Sequence, residues 1–268
     1  MKKLTSFILA VALILGIAAV PVSAAGTKVY VTIANANGEL VLTRAEVEVT
    51  DIDNDGAITI NDALYIAHEN NYQGGAAAGY ASATGQWGLS LTKLWGVENG
   101  GSYGYYVNNV SAMGLTDPVT EGAHIYAFVY TDLTAWSDAY SFFDKETVTG
   151  KVGDQVKLTL KKATFDANYQ QVNVPVEGAV IYVDGQATQV VTDANGEATV
   201  TLSKDGTAKI SARSDAAILV PPVCVATVAA ATVPQTGDSM TTFVIAGVAM
   251  LAAVCALASR KNEKENEI

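Results

Sequence analysis

The 268-residue sequence predicts a mainly β protein: an α+β domain, then a β-sandwich, with a hydrophobic helix at each end. Three observations carry this expectation. Short runs alternating apolar and polar residues recur through the middle, broken by Gly, Asn and Asp turn signals. One stretch, Ile60 to Glu69, spaces Ala63, Leu64, Ile66 and Ala67 as a helix does. Uncharged apolar runs lie at the two ends, from Phe7 to Val20 and from Phe243 to Ala258.

At the N-terminus, Met1-Lys2-Lys3, the Phe7–Val20 run and Val22-Ser23-Ala24 have the form of a signal peptide over residues 1–25. Cleavage is expected after Ala24 or Ala25; a retained first membrane helix fits less well, because the apolar core is short and a cleavage site follows. At the C-terminus, residues 229–242 form a linker containing Val233-Pro234-Gln235-Thr236-Gly237. An apolar span at 243–259 comes next, then a charged tail at 260–268. The span has about the ~17–25 residues a membrane helix needs. Arg260, Lys261 and Lys264 on its far flank keep that end cytoplasmic.

Pentapeptide, span and basic tail together resemble the sorting signal of Gram-positive surface proteins cut by sortase. The family pattern is L-P-x-T-G, with Val233 here in place of Leu. The resemblance implies cleavage between Thr236 and Gly237 and transfer of the Thr236 carboxyl to a peptidoglycan amine. Its partners would be sortase and peptidoglycan, the membrane span would be transient, and the product would sit at the cell surface. The plainer alternative is a single-pass anchor with an accidental motif.

With both ends removed, 23 acids and 11 bases remain. Such a surface suits solubility and cation binding and offers no basic stripe to nucleic acid. The positive mean hydropathy, +0.24, comes mostly from the two removable segments. Of the two cysteines, Cys255 lies in the span, so Cys224 is left alone and no intramolecular disulfide can form. Within Val223-Cys224-Val225 it reads as a small core residue.

The first domain is expected over residues 26–145. Val29, Val31 and Ile33 alternate with Lys28, Tyr30 and Thr32 as a strand; Asn35-Ala36-Asn37-Gly38 turns, and Leu40 to Val49 returns. The run 51–62 has the pattern of a calcium loop. Asp51, Asp53 and Asp55 hold positions one, three and five, and Gly56 makes the sharp turn at six. Ala57 offers a carbonyl at seven, Thr59 an oxygen or a water at nine, and Asp62 a carboxylate at twelve. Ca²⁺ takes six to eight oxygen ligands, and this run supplies no competing nitrogen or sulfur. Ile58 would tie the loop to a core, and Asn61 or Asp62 would cap the following helix. Loop and exiting helix resemble half of a dockerin. No second repeat follows and a strand precedes the loop, so a structural calcium loop inserted in another domain is expected; an acidic turn without an ion is the bland alternative.

Tyr72 to Ala83 is rich in Gly and Ala and reads as a loop. Trp87 to Gly96, Tyr103 to Asn109 and Ile125 to Tyr130 read as strands. The order G-x-x-L-x-x-L-x-G, then Y-Y-V-N-N, then E-G-x-x-I-x-x-F-x-Y resembles the β-grasp domain of transcobalamin-type carriers. That resemblance covers roughly residues 27–144. It does not bring cobalamin with it, because the helical barrel those carriers add is absent. Among the aromatic residues, Trp87, Trp95, Tyr105, Tyr106 and Trp136 are candidates for a binding face toward an unknown extracellular ligand. Ordinary core and sheet packing is the alternative.

Residues 146–228 turn to Val, Thr, Lys and Asp in about seven short strands, the pattern of a sandwich. The turns Asp184-Gly185 and Asp193-Ala194-Asn195-Gly196 punctuate them. P-V-x-G-A-x-I-Y-V-D-G followed by T-D-A-N-G-E-A-x-V-x-L resembles the prealbumin-like and carboxypeptidase-regulatory-like stalk domains. Only His68, expected on the polar side of its helix, and His124, at a strand start, are near-neutral bases. Neither sits in a zinc or nucleophile motif. The expectation is therefore a non-enzymatic, wall-anchored surface protein with a calcium-stabilised ligand-binding or adhesive domain. The alternatives are a small-molecule or glycan capture component of an uptake system, or a secreted enzyme.

Overall fold

The computed structural model describes residues 26–231. The leader, the sorting motif at 233–237 and the 243–259 span lie outside the described residues, among which no helix is long and apolar enough to cross a membrane.

The first domain opens with β1 (Thr27–Ala34) and β2 (Leu40–Val49), an antiparallel hairpin. Helix α1 (Ile60–Asn71) and the short α2 (Gly75–Gly79) follow, then the hairpin of β3 (Ala81–Gly85) and β4 (Gly88–Lys93). Strands β5 (Tyr103–Val107), β6 (Val110–Ser111) and β7 (His124–Val129) complete it. The main sheet runs β2-β1-β7-β5-β6, with β1 and β7 parallel at its centre. Two hairpins flanking a central parallel pair, with a helix over one face, make the expected β-grasp arrangement. The 72–83 segment, expected as a loop, carries α2 and the start of β3. Its alanines and glycines let α2 lie close against α1, and Tyr72 ends α1 as its C-cap.

Both faces of this sheet are covered. Along β7, every residue is buried. Ile125, Ala127 and Val129 face the helix with Val29, Val31, Ile33, Leu64 and Leu94, whereas Tyr126 and Phe128 face the second domain. A central strand covered on both sides reads as a continuous apolar run, as β7 does.

The second domain contains β8 (Ala139–Phe143), β9 (Thr147–Lys151), β10 (Gln155–Phe165), β11 (Gln171–Pro175), β12 (Val180–Val183), β13 (Gln186–Val191), β14 (Glu197–Thr201), β15 (Gly206–Arg213), β16 (Leu219–Val220) and β17 (Cys224–Ala229). One sheet runs β11-β10-β8-β16, with β14 also on β10, and the other runs β13-β12-β15-β17-β9. Between them lies an apolar core that includes Phe143, Leu158, Leu160, Ile181, Ile210 and Cys224. Burial pushes the Cys224 thiol up to about 12, as a packing residue requires. At the 193–196 turn, Gly196 has φ +73°, and a Cβ there would lie 2.3 Å from the Leu160 carbonyl oxygen. Only glycine fits.

Strands β8, β9, β11 and β16 add to those expected. Thr147-Val-Thr-Gly-Lys151 is too polar to stand out, and Pro175 ends a strand at a sheet edge, where a missing N–H is tolerated. Strand β8 pairs with β10 and β16, so hydrogen bonding to the second domain starts at Ala139, ahead of the expected boundary at 146.

The domains are joined by a shared apolar layer of Ala34, Tyr106, Tyr126, Phe128, Tyr140, Ala163, Val220 and Val223. Tyr106 and Tyr140 stack with ring centroids 3.7 Å apart at 9°. Around this layer the Tyr126 hydroxyl donates to the Pro221 carbonyl, and Tyr140 donates to Asn109 Oδ1. Gln171 clasps the β5–β6 turn, donating to the Asn109 carbonyl and accepting from Ser111 N.

Candidate functional site

The acidic loop takes the expected shape in part. Asp51, Asp53 and Asp55 bring carboxylate oxygens within 4.8 Å of one another. Asn54 and Gly56, at φ +60° and +90°, turn the chain tightly around them. Asp51 accepts from Asp55 N (3.2 Å) and Gly56 N (2.9 Å), and the Gly56 bond is the main cause that lowers its pKa. Asp53 is raised, by partial desolvation first and then by the charges of Asp62 and Asp55. Ile58 packs on the core and pairs through its carbonyl with Val119 N at 2.9 Å.

Asp62 lies outside that cluster. It is fully buried at the third position of α1, where its Oδ2 accepts from both Thr59 N and Thr59 Oγ1 at 2.8 Å, and its Oδ1 from Ile52 N at 3.1 Å. Thr59, rather than Asn61 or Asp62, is the N-cap, in a reciprocal capping box. Asn61 instead accepts from Tyr80 OH at 2.7 Å and Ser82 Oγ at 3.1 Å. The donor set fits a hard cation at Asp51, Asp53 and Asp55. Thr59 and Asp62 would have to release their mutual bonds to join it.

The five candidate aromatic residues do not share a face. Trp95 packs edgewise on Tyr72 and against His68, at 5.2 Å centroid distances. Tyr105 lies half-buried on the helix side of the sheet, and Tyr106 is in the domain junction. Trp87 stands 88% exposed at the β3–β4 turn. Trp136 is in the loop after β7, its Nε1 donating to Ser102 Oγ at 3.1 Å. Strand alternation sends neighbouring tyrosines to opposite faces, so aromatic density in sequence does not make a surface patch.

His68 is fully buried, not on a polar face. Its Nδ1 donates to the Leu64 carbonyl at 2.6 Å and its Nε2 accepts from Trp95 N at 3.0 Å, which fixes the neutral tautomer. Burial lowers its pKa to about 4. His124, at the start of β7, is buried at the junction, with Nε2 2.8 Å from Thr32 Oγ1 and Nδ1 3.1 Å from Glu146 Oε1. Arg44 donates to Glu146 Oε2 at 2.8 Å. Burial would raise the Glu146 pKa, but His124 and Arg44 outweigh it and hold the carboxyl low. The order hydroxyl, imidazole, carboxylate matches a nucleophile and its base. Yet Thr32 is sealed, its oxygen also accepts from Arg44 N, and none of the cavities described below reaches it.

Sequence reasoning missed a groove along the junction. A cavity of about 260 Å³ lies between the β1–β2 turn and the β15–β16 segment. It shares Gly38, Arg213 and Pro221 with a second of about 570 Å³ that extends over Tyr182, Lys209 and Ser211. A third of about 460 Å³ continues past Ser137 and Ile218. The sequence signal was the polar alternation Lys209, Ser211, Arg213 on β15, legible only once the opposite wall is in place.

The described residues form a mainly β protein of two packed domains. Residues 227–266 match the family described as the LPXTG cell wall anchor motif. The protein is anchored at the cell wall and extracellular, and the anchor implies sortase processing and attachment to peptidoglycan. No curated protein matches the chain. Two solved structures of the N-terminal four Ig domains of Dscam1 are similar in part. Isoform 9.44 is 13% identical, over 41% of this chain and 23% of that one, with a TM-score of 0.21. Isoform 7.44 is 12% identical, over 77% and 45%, with a TM-score of 0.22. The chain thus covers less than half the length of either, and TM-scores this low carry no argument.

Proposed function

We propose that this is a non-enzymatic wall-anchored surface protein that holds an extracellular ligand in the groove between its two domains, with Ca²⁺ stiffening the first. The observation that carries the proposal is the groove itself. It lies where ligand sites are commonest, at a domain interface, and its walls are fixed by the apolar layer and polar rim of the junction. Adhesion through a flat aromatic face has less support, because the aromatic candidates are dispersed. The transcobalamin-like character of residues 27–144 is supported by the β-grasp strand order, and cobalamin is not part of the proposal. Ca²⁺ would be held by Asp51, Asp53 and Asp55, with the Ala57 carbonyl available, and would offset the desolvation and then the carboxylate repulsion that raise the Asp53 pKa. Catalysis is disfavoured because the Thr32–His124–Glu146 chain is sealed.

The test is retention of the processed ectodomain, residues 26–236, on arrayed glycans, compared with Ser211→Trp, which fills the groove. Wild-type retention that Ser211→Trp abolishes is expected. Retention indifferent to Ser211→Trp would move the ligand site elsewhere.

A further inference from the structure

We propose that the groove selects an acidic oligosaccharide, a sugar chain with recurring carboxylates; this rests on the groove being the ligand site. The alternation of β15 puts Ile210 and Ala212 into the sandwich core, buried to 0% and 1% exposure. Lys209, Ser211 and Arg213 must then point the other way, onto the groove side. Tyr182 is the cross-strand partner of Ser211 and joins them. The Arg213 guanidinium lies over the Tyr182 ring, 5.0 Å from its centroid.

The charges are unequally engaged. Three of the four carboxylates lining the groove accept hydrogen bonds: Glu39 from Asn35 Nδ2, Asp138 from Thr131 and Asp132, and Asp184 from Lys209 N; the fourth, Asp215, lies in the third cavity, away from Lys209 and Tyr182. The Lys209 ammonium and the Arg213 guanidinium have no ion-pair or hydrogen-bond partner among the described residues. Arg44, the other arginine described, is paired with Glu146. An acidic protein that leaves two cations unpaired on one groove wall presents a site for negative groups. Four residues of extended strand separate the cations by about 13 Å. One carboxylate cannot meet both, whereas a chain with repeated carboxylates can.

A sugar chain suits the remaining surface better than a peptide. Strand β15 lies inside its sheet between β12 and β17, so its N–H and C=O groups are already paired. It cannot add a peptide strand, and the ligand is held by side chains alone. The hydroxyls of Tyr182 and Ser211 and the amide of Asn37 match a hydroxyl-rich ligand.

The experiment is calorimetric titration of residues 26–236 with tetragalacturonate, its fully methyl-esterified form, and a glycerol-phosphate oligomer. Binding of the free acid is expected, with the ester at least about tenfold weaker and Arg213→Gln or Lys209→Gln each weakening the acid about tenfold. Far-UV circular dichroism of each variant checks that it is folded. Equal binding of acid and ester, lost in Ser211→Trp, would overturn the charge selection and leave the groove as the site. Binding indifferent to every groove substitution would sink both proposals. Binding of the phosphate oligomer alone, or of none of the three, would overturn the carboxylate assignment.

Discussion

The two domains bury different chemistry. The sandwich core is apolar: Leu158, Leu160, Ile181, Val200 and Ile210 meet across two sheets, and among the described residues the domain buries only the hydroxyls of Ser141 and Thr192 with it. The β-grasp domain instead buries Thr32, Thr59, Asn61, Asp62, His68 and His124, each with a hydrogen-bond partner. The first kind of core is held by area and shape. The second depends on every partner being present, because an orphaned polar group costs about 1–3 kcal/mol. Disturbance of volume should therefore dominate in one domain and disturbance of protonation in the other.

The largest effect is expected at Leu160, fully buried in the sandwich. Leu160→Ala should cost about 2–5 kcal/mol, the range for a truncated core leucine, read from the urea midpoint of residues 26–236. The loss should be nearly constant from pH 4 to 7. A loss below about 1 kcal/mol would mean that this core collapses around the gap and is not the tightly packed half.

Next comes His68. Its folded pKa of about 4 lies below the ordinary 6.5, so between these values the unfolded chain binds the proton more readily. The contribution of neutral burial is complete above pH 6.5 and is lost as pH falls toward 4. The linkage amounts to at most about 3 kcal/mol. His68→Leu should lower stability at pH 7, by stranding Trp95 N, yet flatten the slope between pH 6.5 and 4. The measurement is the difference between the two pH–stability curves. An unchanged slope would place the acid sensitivity in the carboxylates instead.

Calcium should act on the first domain alone. With the ~10⁻⁴–10⁻³ M affinity usual for extracellular loops, 10 mM Ca²⁺ should add about 1.4–2.7 kcal/mol. Asp53→Asn should abolish the gain. Because partial desolvation, and after it the neighbouring carboxylates, raise the Asp53 pKa, the gain should shrink as pH falls into the carboxylate range. A melting temperature identical in EDTA and in Ca²⁺ would remove the ion from the proposal.

The same contrast explains what could be read in advance. Period-2 runs such as Val156 to Leu160 and Ala198 to Leu202 announced the sandwich, because one face of each is simply apolar. The spacing of Asp51, Asp53, Asp55 and Gly56 announced a loop that does gather three carboxylates. What escaped was long-range. His68 looks polar on a helical wheel, but α2 and Trp95 arrive later in the chain to cover it. Asp62 looks like a ligand, but Thr59 three residues earlier claims it as a capping partner. The groove needs Gly38 and Arg213, 175 positions apart in the numbering, to meet across the junction.

The smallest effect is expected at Trp87. At 88% exposure, beside Gly88 at φ +94° in the β3–β4 turn, it packs on nothing that folding requires. Trp87→Ala should change stability by less than about 0.5 kcal/mol, as exposed sites do. Trp95→Ala, which removes a partly buried ring against His68 and Tyr72, should cost about 2–3 kcal/mol, below the range for a fully buried aromatic. The pair then separates an aromatic that builds the domain from one free to meet a ligand. If Trp87→Ala left stability unchanged but halved retention on the arrayed glycans, the exposed turn would be a contact in its own right. The groove would then not be the whole site.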